Sequence, residues 1–308
     1  MWNGDTPVTS WPEVSARRRP SHILERRNMN KKLIFLDIDG TLTVPGSNEP
    51  PASALEAIRA AQKNGHKVFL CSGRNPGMLA PLLQYGFDGV IACAGGYVTV
   101  DDEVIYDMPM TREESDLAVE KLHETGVFCT VECRDGAFGD ENLGAFLESN
   151  AGEDGKGNSE IERWRKALAS SLHIRPMGEY DGTPAYKVVI MCLHPEQLIP
   201  AKEALEDRYN FVVQEITDPA HRCINGELIN RKYDKGRAIL RVCDHLGVPV
   251  EDTIGFGDSM NDLEMIRTVG TSVCMANGAN ALKEISDIVC PSVEEDGMAK
   301  AFAQLGLV

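Results

Sequence analysis

The chain has 308 residues, of which 43% are hydrophobic and 25% are charged. This composition is typical of a globular protein with one or two domains and excludes disorder as the main state of the chain. Lys and Arg total 31 against 47 Asp and Glu, which gives a formal net charge of −16. So acidic a chain argues against a nucleic-acid backbone or an anionic membrane surface as the main partner.

The apolar runs and the cysteines exclude further classes of protein. The clearest apolar stretches, at 33–36 and 188–193, are far shorter than the roughly 18 residues that a membrane-spanning helix needs. The nine cysteines are an odd number and include no C-x-x-C pair, so they indicate neither a disulfide framework nor a zinc finger. We therefore expect a cytoplasmic protein that is not an integral membrane protein.

The first 28 residues differ from the rest of the chain. They contain three prolines and five arginines and show no sustained hydrophobic periodicity. This predicts an N-terminal tail that is disordered or not native, with Met29 as an alternative start directly before a strand-like segment. An organelle transit peptide is a weaker alternative, because acidic residues interrupt the segment.

The first hundred residues alternate strands and helices. Lys32 to Ile38 is short and apolar, as is typical of a buried parallel strand. Ser53 is expected to cap a helix from Ala54 to Asn64 that stops at Gly65. The next expected elements are a strand at His66 to Cys71, a helix at Pro76 to Tyr85 and a strand at Gly89 to Cys93. Such alternation predicts a doubly wound α/β fold, in which helices cover both faces of a parallel sheet.

Between about Gly96 and Gly226 the predicted pattern changes to short strands with fewer helices. We expect strands at 97–100, 104–106, near 127, at 186–193 and at 211–215, helices at 112–125 and 195–207, and a loop at 150–160. Alternation then resumes with helices at 235–246, 261–268, 279–285 and 294–305 and strands at 253–256, 271–274 and near 288. This pattern predicts a core of residues 29–96 and 227–308, split by an inserted α+β domain of residues 97–226.

Two carboxylates follow the first strand. Asp37 and Asp39 flank Ile38, so both side chains point to the same side at the carboxyl edge of the sheet, where ligands bind in open α/β folds. Paired carboxylates there suit an oxygen-preferring divalent cation such as Mg²⁺. Asp37 could then attack a phosphoryl group whose charge the metal neutralises. The alternative is that both aspartates only form a turn at the strand end.

Three further motifs favour a catalytic role for Asp37 and Asp39 over a simple turn. Ser72 and Gly73 follow the second strand and could hold a phosphoryl oxygen, although Ser-Gly also forms plain turns. Lys235 opens a helix, so its ammonium and the positive helix N-terminus could share an anion. The segment Gly257-Asp258-Ser259-Met260-Asn261-Asp262 follows a strand and adds two carboxylates to the same edge, of which an acidic helix cap explains at most one.

In this order, the four motifs resemble those of the haloacid dehalogenase (HAD) superfamily of phosphohydrolases. They are D-x-D-G-T after an apolar strand, a Ser after the second strand, a Lys at a helix start, and G-D-x-x-N-D. From Met29 to Val308 the chain is similar to the Cof-type, IIB branch, and the insertion resembles its C2 cap. The segments 227–230, 273–278 and 294–298 add to this resemblance.

The resemblance implies a role for each matching residue. Asp37 would be the nucleophile, Asp39 the general acid and then the base, and Lys235 would stabilise charge on the phosphoryl oxygens. The implied phosphate-binding set is Thr41, Ser72, Gly73, Lys235 and Asn261. The implied Mg²⁺ ligands are Asp37, Asp39 through its backbone carbonyl, and Asp258, while Asp262 would orient Lys235 or a metal-bound water.

One position departs from the family pattern. Ala94 stands where many relatives have an asparagine near the substrate or the cap hinge, which weakens any substrate preference taken from relatives. Polar residues near presumed strand ends or loops of the insert are the candidates for specificity contacts: Arg134, Asp135, His173, Arg175 and Lys187.

The leading hypothesis is a Mg²⁺-dependent phosphatase that acts on a small phosphorylated metabolite, such as a sugar phosphate, through an aspartyl-phosphate. We expect a monomer or small homo-oligomer. One alternative is a phosphotransferase or phosphomutase that uses the same Asp37. Another is a phosphometabolite-binding protein without turnover, which loss of a catalytic aspartate or of Lys235 would indicate, but these residues are present. No G-x-S-x-G, Walker A or G-x-G-x-x-G motif supports a different enzyme class.

Overall fold

The computed structural model describes residues 31–150, 174–213 and 223–308. The predicted tail of residues 1–28, residues 151–160 of the predicted loop, and His173 lie outside these ranges. Within the described ranges, no helix is both long enough and apolar enough to cross a membrane.

Strands and helices alternate through much of the described chain. The strands are β1 (Leu33–Leu36), β2 (Lys67–Cys71), β3 (Gly89–Ala92), β4 (Tyr97–Val100), β5 (Glu103–Asp107), β6 (Phe128–Cys133), β7 (Ala137–Gly139), β8 (Ile174–Pro176), β9 (Ala185–Cys192), β10 (Tyr209–Val213), β11 (Ile224–Asn230), β12 (Thr253–Gly257), β13 (Thr271–Met275) and β14 (Ile288–Cys290). The α-helices are α1 (Ala52–Lys63), α2 (Pro76–Leu83), α3 (Arg112–His123), α4 (Leu143–Asn150), α5 (Ile199–Leu205), α6 (Lys235–Leu246), α7 (Leu263–Thr268), α8 (Asn280–Ile285) and α9 (Gly297–Gln304).

The larger sheet follows the order β14-β13-β12-β1-β2-β3-β4-β5. Strands β14 to β3 of this order run parallel, while β4 and β5 are antiparallel to their neighbours. Strand β1 is fully buried and pairs with β2 on one side and β12 on the other. Its carboxyl end therefore lies beside the ends of both neighbours, so that polar residues after all three strands meet at one edge.

Helices cover both faces of this sheet. On one face, α1 and α9 pack against strand residues such as Ile34 and Leu36. On the other, α6 and α7 pack against Leu33 and Phe35. The alternation of apolar side chains along β1 thus supplies both cores, and the predicted α/β fold class is confirmed.

The smaller sheet follows the order β10-β11-β9-β6-β7-β8. Its three central strands pair antiparallel, with Val188 of β9 opposite both Val131 of β6 and Leu228 of β11. Helices α3 and α5 bury their apolar residues against one face of this sheet. The opposite face carries polar residues such as Glu132 and Lys187, which are also buried.

Strand pairing at both ends of the insert differs from the predicted bounds of 97–226. Strands β4 and β5 continue the larger sheet from β3 as an antiparallel meander, and β11 of the smaller sheet extends to Asn230. The physical reason is that residue periodicity identifies a strand but carries no information about which neighbour it pairs with.

Most predicted elements lie within a few residues of the observed ones, but the predicted helix cap at Ser53 is wrong. Helix α1 begins at Ala52 after Pro51, without a side-chain cap. Ser53 lies inside the helix and donates from Oγ to Asp296 Oδ1 at 2.5 Å. Helix α1 therefore begins two residues before the predicted start at Ala54, because the fixed φ of Pro51 is compatible with a helix start.

A strained turn follows β3 at the edge where β1 and β2 end. Ala94 has φ of 56° and ψ of 26°, in the left-handed region, and its N–H donates to the carbonyl of Ser72. That conformation costs a residue with a Cβ about 1–2 kcal/mol relative to right-handed backbone. The turn therefore stores strain directly beside the Ser72 loop.

We predict that Ala94→Gly raises the free energy of unfolding by about 0.5–1 kcal/mol, because relief of the left-handed strain exceeds the extra freedom of glycine in the unfolded chain. Denaturant unfolding of the two chains measures this. Ala60→Gly inside helix α1 is the matched control and should lower stability by about 1 kcal/mol. A loss of similar size at both positions would contradict the assignment of strain.

Candidate active site

The carboxyl end of β1 carries the two predicted aspartates. Asp37 is 4% exposed, and its N–H donates to the carbonyl of Phe256 in β12, which fixes its backbone in the sheet. Asp39 lies in the turn that follows, where its Oδ1 accepts from the N–H of Gly46 at 2.9 Å. Both aspartates thus follow β1 directly, at the carboxyl edge of the sheet.

Gly40 lets this turn approach the loop after β12. Its φ is +86°, and a Cβ there would lie 2.3 Å from Asp258 Oδ2. Asn277 secures the contact by donating from Nδ2 to the Gly40 carbonyl at 2.8 Å. A side chain at position 40 would push Asp258 away from Asp37, so glycine is required for the carboxylates to converge.

Lys235 joins the ends of β1 and β12. It is the first residue of α6, a helix that Asp234 caps by accepting the N–H of Arg237. A Cβ at the next residue, Gly236, would lie 2.4 Å from Thr268 Oγ1, so α6 and α7 pack backbone to backbone at this point. The close packing buries the lysine, whose side chain is 1% exposed.

The Lys235 ammonium lies between two carboxylates. Its Nζ is 2.7 Å from Asp37 Oδ1 and 2.6 Å from Asp262 Oδ1. Burial lowers the pKa of Lys235, but the charges of Asp262 and Asp37 together raise it more, so the net pKa lies above the usual value and the ammonium stays protonated. Loss of such a buried cation would leave two uncompensated carboxylates.

The loop after β12 holds the remaining acidic residues. Asp262 is fully buried, and its Oδ2 accepts from the N–H groups of Asp258 and Ser259 at 3.0 and 3.2 Å. The loop is thereby closed on itself and turned toward β1. Asn261 is exposed, with its Oδ1 3.4 Å from Lys235 Nζ, and Thr41 Oγ1 donates to Asp258 Oδ1 at 3.4 Å.

Oxygens of three of these carboxylates converge. One oxygen each from Asp37, Asp258 and Asp262 lies within 4.8 Å of the others. Burial, and then the charge of Asp262, raises the pKa of Asp37 well above its usual value and that of Asp258 to about 7. Lys235 balances at most one of these three negative charges, so a bound dication would reduce the remaining repulsion.

The turn after β2 faces the same edge. Ser72 is 3% exposed, its N–H donates to the Ile91 carbonyl, and its Oγ accepts the N–H of Arg74 at 3.2 Å. The Gly73 carbonyl accepts a hydrogen bond from Lys187 Nζ at 3.1 Å. Every predicted catalytic, phosphate-binding and metal-binding residue therefore lies on the turn after β1, β2 or β12, or at the start of α6.

Arg74 is a residue of this site that the sequence interpretation missed. It forms a bidentate ion pair with Asp39, with Nε 3.0 Å from Oδ2 and Nη2 2.7 Å from Oδ1. The pair is largely buried, with side-chain exposures of 6% and 17%. The signal was present in the sequence as an arginine directly after Ser-Gly, in the turn that follows the strand neighbouring β1. The guanidinium presents a fork of donors that suits a carboxylate.

The candidate specificity residues of the insert lie in different places. Lys187 is the one that bonds directly to the turn after β2. The side chain of Arg134 donates to Asp107 and covers the Tyr97 ring, while its carbonyl accepts from Gly77 N. The backbone of Asp135 packs on Gly77, and the Arg175 guanidinium covers the Phe138 ring at 4.0 Å. His173 is outside the described residues.

A second group with metal-ligand chemistry lies in the insert. His123, Cys129 and Asp140 each offer one atom within 4.8 Å of the others. His123 Nε2 and Asp140 already contact each other at 3.0 Å, and burial raises the pKa of the Cys129 thiol well above its usual value. All nine cysteines are buried and free of disulfides. Without a bound metal, burial therefore favours the protonated thiol.

Comparison with known proteins identifies relatives along most of the chain. The model of a family described as haloacid dehalogenase-like hydrolase matches residues 34–302. YkrA of Bacillus subtilis, provisionally named a phosphatase, is 28% identical over 91% of this chain and 100% of its own length. The 5-amino-6-(5-phospho-D-ribitylamino)uracil phosphatase YwtE of the same organism is 28% identical over 89% of this chain and 98% of its own length.

Solved structures share the fold. A hypothetical protein from Geobacillus kaustophilus superposes with a TM-score of 0.74 at 24% identity, covering 91% of this chain and all of the other. The HAD subclass IIB sugar phosphatase BT4131 superposes with a TM-score of 0.69 at 23% identity, covering 90% of this chain and all of the other. The two-sheet architecture is therefore shared with known structures along their whole length.

We predict that Asp258→Asn stabilises the chain without metal and removes its response to Mg²⁺. Loss of one repelling carboxylate should raise the free energy of unfolding by about 1–2 kcal/mol in EDTA at pH 8. Millimolar Mg²⁺ should raise the melting temperature of the native chain, because it binds the folded state alone, and leave the variant unchanged. Thermal unfolding with and without Mg²⁺ measures both effects.

The matched control is Asp102→Asn, which removes an exposed carboxylate from the turn between β4 and β5. This variant should keep the Mg²⁺ response of the native chain. A Mg²⁺ response that survives in Asp258→Asn would show that the cation binds elsewhere.

Proposed function

Because the chain belongs to the haloacid dehalogenase-like hydrolases, we propose that it is a Mg²⁺-dependent phosphatase of small phosphomonoesters that works through an aspartyl-phosphate on Asp37. The observation that carries the proposal is the contact of one buried ammonium, that of Lys235, with both Asp37 and Asp262 at the carboxyl edge of the sheet. A nucleophilic carboxylate needs a nearby cation to meet a phosphate dianion, and this edge supplies one.

The first step forms the aspartyl-phosphate. An oxygen of Asp37 attacks phosphorus in line with the leaving oxygen; the bond from phosphorus to that oxygen breaks, and Asp39 gives it a proton. Lys235 stabilises charge on the phosphoryl oxygens and favours the ionised form of Asp37, whose pKa its charge lowers against the effect of burial. Ser72, the Gly73 loop, Thr41 and Asn261 would hold those oxygens in place.

The second step hydrolyses the aspartyl-phosphate and regenerates the free enzyme. Asp39, now ionised, takes a proton from water, whose oxygen bonds to phosphorus while the bond from phosphorus to Asp37 breaks. Inorganic phosphate leaves, and Asp39 holds the proton that it needs for the next cycle. The Arg74 guanidinium keeps the Asp39 carboxylate oriented between the two steps.

The proposed cation site uses Asp37, Asp258 and the backbone carbonyl of Asp39, with Asp262 orienting Lys235. Mg²⁺ bound there would neutralise the carboxylates and the phosphoryl group. The convergence of oxygens from Asp37, Asp258 and Asp262 supports an oxygen-liganded dication at this edge.

The proposed substrate is a small phosphorylated metabolite, such as a sugar phosphate. Two relatives support this class by name: the ribitylaminouracil phosphatase YwtE and the sugar phosphatase BT4131. We propose that the insert built on the smaller sheet acts as a cap, which excludes water from the reacting groups and contacts the organic part of the substrate.

We predict that Asp37→Asn lowers phosphate release by at least about 10³-fold, because the amide neither attacks phosphorus nor balances Lys235 as a carboxylate does. The assay uses a panel of sugar phosphates, 5-amino-6-(5-phospho-D-ribitylamino)uracil, pyridoxal phosphate and flavin mononucleotide, with Mg²⁺ or EDTA. Asp102→Asn should keep native activity. Full activity of Asp37→Asn would exclude this nucleophile, and phosphate recovered on a sugar hydroxyl would indicate a phosphotransferase instead.

A second prediction separates the acid from the nucleophile. Asp39→Asn should lower kcat/KM by about 10²–10⁴-fold for sugar phosphates, whose alkoxide leaving groups need a proton. For p-nitrophenyl phosphate the loss in kcat/KM should be under about tenfold, because nitrophenolate leaves without one. Steady-state kinetics on both substrates measure the contrast. Equal losses on both substrates would mean that Asp39 has another role.

A further inference from the structure

Lys187 is a buried cation on the polar face of the smaller sheet. It lies on β9 with 3% of its side chain exposed. Glu227 of β11 and Glu132 of β6 flank it, with carboxylate oxygens at 2.7 and 3.2 Å from Nζ. Two carboxylates thus hold the ammonium charged and fix its position from both neighbouring strands.

The ammonium also reaches across to the larger sheet. It donates to the carbonyl oxygen of Gly73 at 3.1 Å, 114 residues away along the chain. That carbonyl and the N–H of Arg74 belong to one planar peptide group. The same N–H donates to Ser72 Oγ at 3.2 Å. A continuous path of hydrogen bonds therefore runs from the two glutamates through Lys187 and one peptide group to the Ser72 hydroxyl.

We infer that Lys187 is a positioning residue that orients the Ser72 hydroxyl for the phosphoryl group; this inference rests on the proposed function. A cation at the Gly73 carbonyl polarises the peptide and strengthens its N–H as a donor. Because Ser72 Oγ accepts that N–H, the hydroxyl proton is directed away from the peptide and is left to donate to a phosphoryl oxygen.

The same peptide connects Lys187 to the proposed general acid. Arg74 supplies both the N–H that Ser72 accepts and the guanidinium that pairs with Asp39. Fixing this peptide fixes the base of the arginine side chain as well. Lys187 thereby couples the position of the smaller sheet to the Ser72 hydroxyl and the Asp39 carboxylate at the carboxyl edge of the larger sheet.

The competing explanation is that Lys187 only stabilises the smaller sheet through Glu132 and Glu227. A double-mutant cycle of kcat/KM separates the two, with p-nitrophenyl phosphate and Mg²⁺ as probes. If Lys187 acts through Ser72, Lys187→Met should lower kcat/KM about tenfold in the native chain and less than about twofold in Ser72→Ala. Losses that multiply in the double variant would overturn the inference.

Two further variants address folding and charge. Lys202→Met removes a lysine from helix α5 of the same insert and should leave kcat/KM unchanged. Lys187→Met with Glu132→Gln removes the buried pair together, so that no carboxylate of β6 is left without its cation. This pair replaces Lys187→Met in the cycle if the single variant fails to fold, and the same outcomes then apply.

A measurement without turnover keeps the inference independent of the reaction. The ¹⁵N–¹H resonance of the Arg74 amide should shift in Lys187→Met and in Ser72→Ala, and stay in place in Lys202→Met. An Arg74 amide that does not respond to Lys187→Met would overturn the inference whatever the activity. Activity that survives Asp37→Asn would instead overturn the proposed function while leaving the predicted Arg74 shift testable.

Discussion

The buried contact of Lys235 with Asp37 and Asp262 is the interaction on which the carboxyl edge of the larger sheet depends. These residues follow β1, open α6 and follow β12, so one ammonium connects two neighbouring strands and a helix on the face of the sheet. An ion pair this deep gains little net stability against well-packed apolar residues. Its main effect is on position, and loss of Lys235 would leave two buried carboxylates without their cation. The close packing of Gly236 on α7 brings the lysine to this place.

The same edge concentrates more negative charge than Lys235 balances. Gly40 allows Asp258 to approach the turn after β1, and burial with mutual repulsion raises the pKa values of Asp37 and Asp258. An arrangement that is unfavourable as a bare protein suits a dication, since a bound dication offsets the repulsion among the carboxylates. The strained backbone of Ala94 beside Ser72 is a further local cost at this edge.

A second set of polar contacts connects the two sheets. Arg74 holds Asp39 in a bidentate pair, and Lys187 holds the peptide between Gly73 and Arg74 from the smaller sheet. Position is thus transmitted through a planar peptide and a planar guanidinium, both of which rotate little once bonded. The insert therefore contributes a direct contact to the proposed phosphate-binding turn.

The sequence by itself determined what is local. The apolar run of β1 and the alternation of Asp37 and Asp39 placed two carboxylates at a strand end, because a period of two residues fixes the direction of side chains along a strand. The position of Lys235 beside Asp37 was implied only by the family resemblance, since 198 residues separate the two. Only the tertiary structure decided which strands are neighbours. It placed β4 and β5 in the larger sheet, paired Arg74 with Asp39, and brought Lys187 to Gly73 across 114 residues. Such contacts depend on lateral strand order and on the packing of one sheet against the other, which no local pattern of residues encodes.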